Sequence, residues 1–328
     1  MIPLAHLLRP SPESLKQARA ALAAGEEFTL DFPRVHEWFA AQKNLAVEER
    51  IKELRQATNL FESGHADLLE ARLKVLRAVY ARDDQAVTAA SLHLAQCAVP
   101  SVAELEQLVP QIKKSQRGFK HPMRYTAATL AARAQKRLDR LGFDNITIRF
   151  STRKRLRVTF RPDGTGSLRI PKNLNLTRQR ARRVLAHEID IHVGRAFNAR
   201  QSGNPLLLLP TLGSKMTEEG LAIWHQDTVV KKSTTPSGFW DAYTIALMNE
   251  GGAQTAYTHL LKYKTPKKAA RLVLRACRGI HKPGGPGRGF LFDHLYFVGA
   301  QKITALTTEE RATLMTGRFG LELLSTLE

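Results

Sequence analysis

The chain has 328 residues, 43% hydrophobic and 24% charged, with a formal net charge of +20. That is an ordinary globular make-up, long enough for one large core or two smaller ones, and it excludes a fibrous or low-complexity chain. No run reaches the ~18 apolar residues of a membrane span, and the N-terminal residues lack the basic start and long apolar segment of a secretory signal.

The charge is unevenly placed. Residues 1–110 carry a net −3, residues 111–200 a net +18 and residues 201–328 a net +5. A field of that kind attracts polyanions such as nucleic acid, a ribosome or an acidic polypeptide tail; its plain counterpart is a solvated basic surface. The only cysteines, Cys97 and Cys277, are far apart and outside any metal-like spacing. They read as free thiols in a reducing compartment, which makes the expected location cytoplasmic, with no membrane partner.

In chain order, the pattern is helical from Ser11 to about Phe143. Ser11-Pro12-Glu13 is a helix start, with Ser11 as cap and Pro12 in the first turn. Val47 to Leu60 and Ala66 to Tyr80 space their apolar residues by three and four. Ser101 and Glu104 fit a capping box. Lys113 to Pro122 is basic and poorly periodic, hence a linker or exposed loop.

At Asp144 the period changes to two. Ile146 to Phe150, Leu156 to Phe160 and Ser167 to Pro171 read as three short antiparallel strands, with a turn at Pro162 to Gly166. A helix follows from near Thr177 to about Phe197. Helices resume after Gly213 and are broken by the glycine-rich stretch Lys282 to Gly289. The predicted fold class is α+β and mostly helical: a helical N-terminal region, 1–115, and a second domain with a small antiparallel sheet, 116–328.

The long helix carries His187-Glu188-Ile189-Asp190-Ile191-His192. Histidines four apart on an α-helix lie about 40° from each other and share one metal ion; five apart, they lie about 140° apart. Both rings reach one ion only if the helix is locally widened, as in a π-type bulge. Downstream, Thr217-Glu218-Glu219-Gly220-Leu221-Ala222 supplies Glu219. Two imidazoles and a carboxylate make a three-ligand zinc set with a fourth position open. Gly220 beside the ligand permits close approach of a neighbouring helix.

His-Glu-x-x-x-His followed by Glu-Glu-Gly-Leu-Ala resembles the tyrosine carboxypeptidase family, whose animal members include microtubule-associated tyrosine carboxypeptidases. Arg275-Ala-Cys-Arg278-Gly279, then Phe292-Asp293 with Tyr296 and Gly299, resembles that family's closing motif. The resemblance implies a zincin-like metallopeptidase domain over residues 116–328, with His187, His192 and Glu219 as zinc ligands and Glu188 as the catalytic glutamate. Two departures stand out: Glu218 replaces a usual glutamine, and Ile191 a common threonine.

A carboxypeptidase also needs a cation for the substrate's terminal carboxylate. Arg195, three residues past His192, is one candidate; Arg275 and Arg278 are the others, and Tyr296 is a candidate oxyanion donor. His225 reads as structural, while His281 and His294 flank the glycine-rich segment. The leading expectation is a zinc carboxypeptidase acting on a protein's C-terminal tail, acidic or in a polyanionic, ribosome-like setting reached through the basic block 111–200. The alternatives are a nucleic-acid- or ribosome-binding protein with a vestigial metal site, and a zinc endopeptidase.

Overall fold

The computed structural model describes residues 4–115, 124–153, 156–230 and 236–326, and its fold is α+β, mostly helical with two small sheets. The expected loop Lys113 to Pro122 lies largely outside these residues; its first positions close helix Val109–Ser115. Among the described residues no helix is long and apolar enough to cross a membrane. The chain forms two compact units, Met1–Pro110 with Ser237–Val298, and Gln111–Pro236 with Gly299–Glu328. The first crossing lies near the composition break, but no shift in composition marks the return of residues 237–298 to the first unit.

The first unit is all helical among its described residues. Ser11 caps Pro12–Ala24 by accepting from the Ser14 N–H at 3.2 Å, and Ser101 and Glu104 close their capping box. Helix Leu60–Tyr80 buries a stripe that includes Leu69, Leu73, Leu76 and Val79, residues at three- and four-residue spacing. Helix Phe239–Leu261 breaks at Gly252, where φ is 78° and a Cβ would stand 2.8 Å from the carbonyl oxygens of Gly284 and Gly285. Only glycine meets both demands. Cys97 and Cys277 are buried and are not joined in a disulfide.

The second unit holds the strands β1 (Arg124–Thr126), β2 (Ile146–Ser151), β3 (Arg157–Phe160), β4 (Gly166–Pro171) and β5 (Asn175–Thr177). Three of the strands stand where the alternation puts them, but their sheet is mixed rather than antiparallel. β3 and β4 form the antiparallel hairpin, and β2 lies parallel to β4 on its other side, in the order β2-β4-β3. Alternation tells which side chains share a face; it does not tell which strands are neighbours. The separate pair β1–β5 is only three residues long, too short to alternate visibly.

One face of the mixed sheet packs against helix Ala127–Leu141. Leu130, Ala134 and Leu138 meet Ile146, Leu168 and Ile170 in a core that also takes Leu185, Ile189 and Val193. Those last three anchor the helix that carries the histidines, so its apolar side is committed to the core and its polar side is turned elsewhere.

Candidate metal centre

Thr177 caps the histidine helix, accepting from the Arg180 N–H at 3.3 Å. The helix is α over Arg178–Leu185, π over Ala186–Val193, and α again over Gly194–Gln201, beyond the Phe197 end predicted from sequence. The widened turn is the one the five-residue spacing requires. In an i→i+5 helix, five residues make up roughly one turn, so His187 and His192 return to the same side. Their rings are 4.9 Å apart.

Glu219 comes from helix Ser214–Val229. Its carboxylate lies 3.3 Å from His187 Nε2 and 3.8 Å from His192 Nε2. One donor atom from each of His187, His192 and Glu219 lies within 4.8 Å of the other two, a set that can hold a metal ion. Gly220 and Gly299 set how closely the backbone approaches this ligand. A Cβ on Gly220 would fall 2.6 Å from the Gly299 carbonyl carbon and oxygen, and one on Gly299 would fall 2.6 Å from the Met216 carbonyl oxygen.

Glu218, read from sequence only as a departure from a pattern, orients His192. Its carboxylate accepts from His192 Nδ1 at 3.0 Å. That bond fixes the tautomer: the proton sits on Nδ1, and the Nε2 lone pair is free to face an ion. Burial opposes charge on His192, yet Glu218 and Glu219 outweigh it and raise the ring's pKa. Burial likewise opposes ionisation of Glu219, but Lys215 and the two histidines hold it far below the usual carboxylate range. Lys215, one helical turn before Glu219, forms an ion pair with it. The donor chemistry is thus that of a cation site: two nitrogens, a carboxylate kept ionised, and an orienting carboxylate behind.

Glu188 is not in the ligand set. Its Oε2 accepts from the Val158 N–H of β3 at 3.2 Å, so a strand backbone positions it. Asp190, between the two histidines, pairs with Arg137 and accepts from His225 Nε2 at 2.7 Å. Burial penalises its charge, but these two partners lower its pKa below the ordinary value. His225 is therefore structural, a brace between helix Ser214–Val229 and the π turn.

Arg195 ties the histidine helix to the C-terminal segment. It is fully buried, and its Nε and Nη2 donate to the carbonyls of Leu314 at 2.9 Å and Phe319 at 2.6 Å. Burial pulls its pKa down to about 10. A guanidinium so engaged secures the C-terminal segment against the histidine helix, while its Nη1 is buried with no hydrogen-bond partner among the described residues.

Arg275, Arg278 and Tyr296 lie in the first unit. Arg275 Nε meets Asp293 at 2.6 Å and its Nη1 lies 3.4 Å from Asp241; Arg278 also pairs with Asp293. Arg275 stands over the Tyr296 ring, 6.0 Å from its centroid. His281 lies between the Leu30 and Val79 carbonyl oxygens, each at 3.0 Å, and His294 bonds to the Cys97 carbonyl at 2.9 Å.

Register adds a feature that sequence could not. Arg149 of β2 pairs with Arg169 of β4, which pairs with Arg157 of β3. Three arginines therefore stand in a row across the sheet, on the face opposite the core. No carboxylate forms an ion pair with any of them among the described residues. The Arg157 pKa is lowered by burial and by Arg169 and Arg153, while Glu188 acts in the opposite sense. Like charges directly opposite on a sheet are destabilising, so the row costs folding stability.

The family model described as microtubule-associated tyrosine carboxypeptidase matches residues 39–328. No curated protein matches the chain.

Proposed function

This chain belongs to the microtubule-associated tyrosine carboxypeptidase family, and we propose that it is a zinc carboxypeptidase that removes the last residue from a protein with an acidic C-terminal tail. The observation that carries the reading is the π turn, which brings His187 and His192 to Glu219 and leaves Glu188 beside them but outside the ligand set.

Zinc fits the donors, and when held by His187, His192 and Glu219 it supplies the Lewis acidity that makes water nucleophilic near neutral pH. The remaining chemistry belongs to the chain. Glu188 takes a proton from the attacking water and returns it to the leaving amine. The Val158 N–H holds the Glu188 carboxylate in one orientation, so less reorganisation is needed when the proton moves. Glu218 keeps His192 in the tautomer that ligation needs.

The arginine row Arg149–Arg169–Arg157 supports the acidic tail. It is a positive strip, with no carboxylate ion pair among the described residues, on the sheet whose β3 edge also contacts Glu188, and carboxylate side chains would relieve the repulsion along it. The family's description names tyrosine, which makes a terminal tyrosine the first residue to offer.

The test compares initial rates by mass spectrometry on matched acidic-tailed peptides: free acid, C-terminal amide, and a version extended past the cut. A charge-assisted bond to a terminal carboxylate contributes about 1.5–3 kcal/mol, so the amide should react at least about ten-fold more slowly. The extended peptide should lose its cleavage at the original site. Glu188→Gln should retain zinc yet lose several orders of magnitude in turnover. Equal rates on all three peptides, or internal cuts, would make the enzyme an endopeptidase; full activity in Glu188→Gln would remove Glu188 as the base.

A further inference from the structure

A concave site lies in the same unit as the candidate metal centre, between helices Ala127–Leu141 and Arg178–Leu185. The cavity has a volume of about 360 Å³, and its walls carry Arg133, Lys136, Arg137, Arg140, Arg178 and Arg182. Its floor is apolar, formed in part by Ala181 and Leu185. Tyr125 stands at one side with the Arg133 guanidinium over its ring, 4.7 Å from the centroid. Of the six cations, only Arg137 has a carboxylate partner among the described residues, Asp190. Arg182 donates to the Val229 carbonyl at 3.4 Å.

Local physics argues against this array as mere surface. Arg133 and Arg137, Lys136 and Arg140, and Arg178 and Arg182 are like-charge pairs at i,i+4, a spacing at which like charges weaken a helix. Arg178 is also the first residue of its helix, and no acidic residue occupies that first turn. A cation there opposes the helix dipole, which favours an anion. A solvated helix face would interleave glutamates at these positions. Here three like-charge pairs and a cation at a helix start gather around one cavity, although Arg140 and Arg182 stand in last turns, where the dipole favours a cation.

We propose that this cavity binds a compact oligophosphate, a small soluble molecule with several phosphate groups close together. Guanidinium forks match phosphate oxygens bidentately. The volume falls in the range of small-molecule pockets, roughly 300–1,000 Å³. Density of charge decides between phosphates and an acidic peptide. An extended peptide advances about 3.3 Å per residue and sends successive carboxylates to opposite sides, so it would need a long groove to meet six cations. Neighbouring phosphates present the same charge within the cavity. The site is separate from the ligand set of the metal centre and does not depend on the proposed peptidase activity.

The experiment is isothermal titration of the full chain with tripolyphosphate and with inositol hexakisphosphate, at an ionic strength of about 0.15 M, where exposed charges separated by more than ~8 Å are screened. The parent should bind one equivalent. The double variant Arg140→Gln, Arg178→Gln should bind about 100-fold more weakly, on the order of ten-fold for each lost bidentate contact. Arg133→Gln with Lys136→Gln repeats the test on the other wall. Lys267→Gln with Arg271→Gln, outside the cavity, should leave binding unchanged. Because like-charge contacts are removed, the ligand-free Arg140→Gln, Arg178→Gln variant should melt no lower than the parent, which separates lost binding from lost folding. The proposal is overturned if neither oligophosphate binds, if the control pair weakens binding as much as the cavity pairs, or if single-stranded RNA binds there and neither oligophosphate displaces it.

Discussion

At Glu218 one carboxylate decides what one imidazole can do. Its bond to His192 Nδ1 at 3.0 Å leaves Nε2 as the only nitrogen free to ligate. Removing that acceptor frees the ring to rotate or change tautomer, and second-sphere losses of this kind typically lower metal affinity 10–100-fold. Glu218→Ala should therefore weaken zinc binding by that factor, measured by competition with a chelator of known affinity. Glu218→Gln should lose far less, because an amide oxygen accepts the same proton. Equal losses in the two variants would mean that the carboxylate's charge, and not its role as acceptor, is what matters. Arg195 gives the opposite lesson at the same scale. A residue near the two histidines in sequence is fully buried and donates to two backbone carbonyls of the C-terminal segment.

Among the elements, the π turn and the helix opposite it share responsibility for the site. The π turn aligns the histidines, and helix Ser214–Val229 delivers Glu219 only because its backbone comes close to Gly299. Gly220→Ala places a methyl carbon 2.6 Å from the Gly299 carbonyl, against backbone that has little room to yield. Overpacking of this kind costs about 1–3 kcal/mol. The variant should melt several degrees lower and bind zinc more weakly, since the residue pushed aside adjoins a ligand. A control substitution at Thr228, on the same helix and exposed, should do neither. A Gly220→Ala variant as stable and as metal-loaded as the parent would show that the close approach is not needed.

For the molecule as a whole, the uneven charge is the governing feature. The +18 of residues 111–200 is concentrated in the unit that also holds the metal centre, and it includes both the arginine row and the cavity arginines. Long-range attraction of that kind acts mainly on encounter and weakens with ionic strength. Raising salt from about 0.05 to about 0.2 M should therefore raise KM for an acidic-tailed peptide several-fold and leave kcat nearly unchanged. A neutral-tailed peptide of the same final residues should respond little. Parallel responses in the two peptides would mean that the field plays no part in substrate choice.

The sequence by itself determined the local features. It specified the helix starts at Ser11, Ser101 and Thr177, because a cap is a contact between near neighbours. It set the three strands of the mixed sheet, because alternation is local. It also required a widened turn, because five residues cannot close one α-helical turn. Tertiary structure decided whatever depends on partners distant in the chain: that β4 lies between β2 and β3, that three arginines share a row, that Glu218 stands behind His192, and that Arg195 serves the C-terminal segment. Spacing along a chain fixes the direction of a side chain relative to its own helix or strand. What that side chain meets is set by the packing of a different segment, and packing is settled only when the whole core closes.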